Sequence, residues 1–113
     1  MILAVVGSGN LGGVKRALDT LRPESVLTGK FWGTDAIVRE WAMDNGVTVI
    51  TLDPNLIKHG TSAMRVRNEQ IVMVADEMLM AGETIDSLQA ANLMGNAGKM
   101  VWLSTSFKAV ENA

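Results

Sequence analysis

Short apolar runs alternate with helix-period segments from one end of the chain to the other, and that alternation limits the possible folds more than any single motif. Ile2–Val6 is a continuous apolar run rich in β-branched residues, the pattern of a strand buried on both faces. Val14, Ala17, Leu18 and Leu21 then recur at i, i+3, i+4 and i+7, one stripe of a helix that Pro23 ends. Ser25–Thr28 is a second strand candidate. Thr34 or Asp35 can cap a helix carrying Ile37, Val38 and Trp41, with Asn45-Gly46 as its stop. Residues 47–52 alternate Val, Thr and Ile before Asp53-Pro54 breaks the run, the clearest strand in the chain. A polar loop is expected over 55–62, a helix from Ala63 to about Ala75, and a strand over 77–81. A last helix spans 84–94 with Ile85, Leu88 and Ala91 inward, and a last strand spans 99–103. Residues 104–113 form a tail with little apolar content.

Strands and helices in strict alternation point to a parallel sheet, because a parallel pair needs a crossover that a helix supplies. Right-handed crossovers leave few arrangements. The expectation is an α/β fold: a single Rossmann-like domain over residues 1–103, a five-stranded parallel sheet in the order 3-2-1-4-5, with helices on both faces.

Composition removes several function classes. A chain of 113 residues, 48% of them apolar, makes one domain with an ample core. Ten Lys and Arg against twelve Asp and Glu leave a net charge of −2, which offers no basic field to a nucleic acid. Cysteine is absent and His59 is the single histidine, so thiolate and multi-histidine metal sites are excluded, and no metal or cofactor is implied. The five-residue run at the start is far too short for a membrane span or a signal peptide. A cytoplasmic protein without a membrane partner is expected.

In such a sheet ligands bind beyond the C-terminal ends of the strands, so the residues after each strand are the ones to inspect. After the first come Gly7-Ser8-Gly9-Asn10-Leu11-Gly12, a G-x-G-x-x-G between strand and helix. Glycines let a backbone approach a phosphate, and the helix start supplies free N–H groups. A tight turn alone would need the same glycines. The dinucleotide fingerprint also asks for an acid about 20 residues on. The second strand ends Leu27-Thr28-Gly29-Lys30 without one, and Asp53 lies too far along.

The second cluster is Gly29-Lys30-Phe31-Trp32-Gly33-Thr34-Asp35. Asp35 suits a helix cap, whereas Lys30 and Trp32 suit a phosphate and a base. In the third, Asn68 lies in an apolar stripe with Met64, Ile71, Val72 and Ala75, and Arg67 borders it. A buried polar pair must find partners: neighbouring loops, or a ligand in a cleft. In the fourth, Thr84 can cap a helix, and Glu83 and Asp86 suit its dipole; either carboxylate could instead attack a sugar.

These segments together resemble the SLOG superfamily of Rossmann-like nucleotide-binding domains, and look most like its small YspA/YpsA-related branch, whose members have no settled function. The resemblance rests on order and spacing over residues 2–103. It is carried by Gly7-Ser8, by the stretch from Thr28 to Asp35 leading into Arg39-Glu40-Trp41-Ala42, and most specifically by His59-Gly60-Thr61-Ser62-Ala63-Met64-Arg65-Val66-Arg67-Asn68. Two departures stand out: Met64 replaces a usual glycine, and Met80-Ala81-Gly82-Glu83-Thr84 is shorter than the superfamily's phosphate-cradling turn and lacks two glycines. Glu83 would repel a phosphate placed there.

The resemblance implies binding of a nucleotide or nucleotide-derived small molecule at the C-terminal edge, in a sensing or sequestering role. The backbone at Gly7, Ser8, Gly9, Gly29 and Gly33 would approach it, Lys30 and Arg67 would hold anionic groups, and Asn68 and Asp35 would hold loops or ribose hydroxyls. Superfamily relatives called LOG enzymes split a base from a nucleoside monophosphate. The corresponding alternative is N-glycosidic hydrolysis or deoxyribosyl transfer with Glu83 or Asp86 on the sugar. Family analogy also implies a homo-oligomer, specifically a homodimer.

Overall fold

A computed structural model describes residues 1–7, 11–29, 34–104 and 108–109, with the side chains of 11, 12, 108 and 109 left aside. The elements run β1 (Ile2–Val6), α1 (Leu11–Leu21), β2 (Ser25–Thr28), α2 (Thr34–Asp44), β3 (Thr48–Thr51), α3 (Leu56–His59), a 3-10 turn (Gly60–Ser62), α4 (Ala63–Val74), β4 (Glu77–Met80), α5 (Ile85–Asn96), β5 (Met100–Leu103) and β6 (Lys108–Ala109). The sheet order is β3-β2-β1-β4-β5-β6. The first five strands are parallel throughout, in the expected order, and β6 adds an antiparallel pair of residues beside Trp102 and Leu103. Among the described residues no helix is long and apolar enough to cross a membrane.

Alternation along β1 divides the core. Leu3 and Val5 pack with Val14, Leu18, Val38, Trp41 and Leu79 on one face of the sheet. Ala4 and Val6 pack with Leu27, Ile71, Met78, Met94 and Val101 on the other. Helices α1 and α2 therefore cover one face and α4 and α5 the opposite one, so the chain reverses its winding between β1 and β4. Each fully buried Leu, Ile or Met contributes roughly 1.5–3 kcal/mol of transfer free energy.

Three local expectations are corrected. The 55–62 segment holds a helical turn, because the Asn55 side-chain oxygen accepts the Lys58 N–H at 3.0 Å and caps α3. None of its residues is buried, so no apolar stripe announced it. Helix α5 presents Ser87, Ala90 and Met94 inward with Ala91 packed beside them as expected, while Ile85 is 91% exposed and Leu88 half exposed. Thr84 and Ser87 form a reciprocal capping box, and that clasp turns Ser87 toward the sheet with its hydroxyl donating to the Gly82 carbonyl at 2.9 Å. On α4, Met64 stands outside the buried stripe of Ala63, Asn68 and Ile71.

Candidate functional site

The C-terminal ends of β1, β2, β3 and β4 form one rim, and several of the singled-out residues stand along it. Gly7 closes β1 with φ of +98°, and a Cβ built there would lie 2.7 Å from the Gly82 carbonyl oxygen. Gly7 thus rests directly on the turn after β4, and glycine is needed there for both dihedral and space. Ser8, Gly9, Lys30 and Gly33, and Trp32 with them, lie outside the described residues.

At the end of β2, the buried Thr28 hydroxyl donates to Asp35 Oδ1 at 2.7 Å, which ties the strand to the first turn of α2. Gly29 is buried, and its carbonyl accepts from Arg39 Nε at 2.9 Å. The same guanidinium donates through Nη2 to Thr51 Oγ1 at 2.6 Å, so Arg39 laces the ends of β2 and β3 together. Nothing in the sequence pattern marks Arg39 as a rim residue. A lone arginine on a helix is ordinarily a solvated one.

Arg67 and Asn68 find their partners on α5. Arg67 Nη2 donates to Asp86 Oδ2 at 2.5 Å, and its Nε donates to Asn68 Oδ1 at 3.1 Å. The fully buried Asn68 donates through Nδ2 to Asp86 Oδ1 at 2.7 Å and to Gln89 Oε1 at 3.0 Å. Both carboxylate oxygens of Asp86 are therefore engaged, and this residue clamps α4 to α5. Glu83 is exposed beside it. The two carboxylates thus stand in different surroundings, one held and one solvated.

Arg67 reaches a second environment as well. Beyond β3, a pocket of about 240 Å³ is lined by Asp53, Lys58, His59, Val66, Arg67 and Gln70, among others. Helix α3 supplies Lys58 and His59, and α4 supplies Val66, Arg67 and Gln70 one turn apart on one face. Because Nε and Nη2 of Arg67 are held by Asn68 and Asp86, the guanidinium is fixed in orientation at the pocket wall. Lys58 and Gln70 carried no distinguishing pattern in the sequence; only the helical turn of α3 brings Lys58 to α4. A polar hollow with two cations, an imidazole and amides, and with the Asp53 carboxylate at its wall, suits an anionic group that also carries hydroxyls for Asp53 to accept from. No protein-family model matches the chain, and no curated protein matches it.

Proposed function

We propose that the C-terminal edge of the sheet binds a nucleotide or nucleotide-derived small molecule, as a sensing or sequestering domain, and that the likeness to the SLOG superfamily reflects this role. The observation that carries the reading is the polar pocket beyond β3, with Lys58, His59 and Arg67 on its walls. Its 240 Å³ falls short of the roughly 300–1,000 Å³ usual for a whole small-molecule ligand. The pocket therefore suits the phosphate end, with the remainder lying along the rim toward Gly29 and Gly7. Native mass spectrometry of protein taken from cells, followed by calorimetric titration with nucleoside monophosphates, tests this. Binding that is lost in Lys58→Met and Arg67→Met supports it; a panel that leaves no heat and no carried ligand overturns it.

Hydrolysis of an N-glycosidic bond would draw on Asp86 or Glu83. Asp86 is committed to Arg67 and Asn68, so no specific observation favours that second reading. Self-association belongs to the same proposal. Its support is the apolar surface at Ile57, Met73 and Ile85, each more than four-fifths exposed. Sedimentation that finds only monomer at high concentration removes it.

A further inference from the structure

At the opposite edge of the sheet, where β2 and β3 begin, lies a larger hollow of about 420 Å³, walled by Asp19, Arg22, Pro23, Trp41, Asn45 and Val47. Its walls come from the C-terminal ends of α1 and α2 and the segments that leave them. Helix C-termini carry a partial negative charge; neither helix has a basic residue in its last turn, and Arg22 directly follows the end of α1.

The side chains add to that polarity. The buried Trp41 indole N–H donates to Asp19 Oδ1 at 2.7 Å, which fixes the carboxylate at the wall and leaves its other oxygen for a donor. Asn45 Nδ2 donates to the Trp41 carbonyl at 2.8 Å, so the amide is held by its nitrogen and its oxygen remains an acceptor. Arg22 lines the same hollow. It has φ of +47°, the one non-glycine residue with positive φ among the described residues. A side chain with a Cβ held in that region carries backbone strain that glycine would not. No ion pair joins Arg22 to Asp19, although they are three residues apart. The two opposite charges face the same space without closing on each other.

We propose that this hollow binds a free apolar α-amino acid. Its ammonium lies against Asp19, the Asn45 amide oxygen and the two helix ends; its carboxylate lies on the Arg22 guanidinium; its side chain rests on Pro23 and Val47. A zwitterion satisfies both charges at once, which a simple anion or amine does not. The site is independent of the C-terminal edge, and neither reading depends on the other.

The test is a ¹H–¹⁵N NMR titration that follows the Trp41 indole N–H, which reports on Asp19 directly. L-leucine should move that resonance saturably, whereas N-acetyl-L-leucine and L-leucinamide should bind at least tenfold more weakly, because each lacks one charge. Arg22→Gly relieves the positive φ, so it should fold at least as stably as the parent and yet lose at least tenfold in L-leucine affinity. Asp19→Asn, which keeps an acceptor for the indole, should lose as much. An indole resonance unmoved by millimolar L-leucine overturns the proposal. So does equal binding of the two blocked forms, or an Arg22→Gly protein that binds as before.

Discussion

Gly7 and Asn68 illustrate how differently single residues can be committed to a fold. At Gly7 the backbone has φ of +98° and the Gly82 carbonyl oxygen sits where a methyl group would go. Gly7→Ala should therefore cost about 2–4 kcal/mol, the strain of the dihedral and the collision together, read as a lower midpoint in urea denaturation. Asn68 is committed through its side chain. It is fully buried and bonds Arg67, Asp86 and Gln89 at once. Asn68→Leu keeps the volume but leaves those groups short of a partner, so a loss of about 1–3 kcal/mol is expected in the same assay. The glycine could be placed at a turn from the sequence, because strand, glycine and helix are consecutive. The partners of Asn68 could not, since Asp86 lies 18 residues further on.

On the α4–α5 face, the C-terminal end of α4 is held by a side chain from beyond the helix. Lys99, just before β5, donates through Nζ to the Val72 carbonyl at 2.5 Å and the Ala75 carbonyl at 2.7 Å, which satisfies the orphan carbonyls at the end of α4 and suits its dipole. Lys99→Met should lower stability by about 1–2 kcal/mol. Calorimetry should then find the thermal midpoint down by roughly 5–10 °C. Helix α5 marks where pattern reading failed. Two stripes overlap on it, one through Ile85 and Leu88 and one through Ser87, Ala90 and Met94, and the less apolar one is buried. Periodicity and apolarity favour the first, and the structure buries the second. The Thr84–Ser87 capping box and its bond to Gly82 turn the second stripe inward. Thr84 as the cap was legible; the rotation it imposes was not.

Across the molecule, burial falls from the centre of the sheet to its margins. Four of the five residues of β1 and three of the four in both β2 and β4 are buried, whereas no residue of β3 is. Native-state hydrogen exchange should accordingly find the slowest amides in β1, β2 and β4 and faster exchange in β3. Uniform protection across all strands would contradict that gradient. The sequence alone determined the class and order of this sheet. Strands buried on both faces leave unbroken apolar runs, helices between them leave a 3.6-residue stripe, and the right-handed crossover then admits few arrangements. Tertiary structure alone decided which polar side chains meet. The union of Arg67 with Asp86 and the hollow at Asp19 and Trp41 join residues from separate crossovers, while the lacing of β2 to β3 by Arg39 and the pocket beyond β3 join residues far apart along a single one. Periodicity records which face a residue takes along its own element. It carries no record of what a neighbouring element sets against that face.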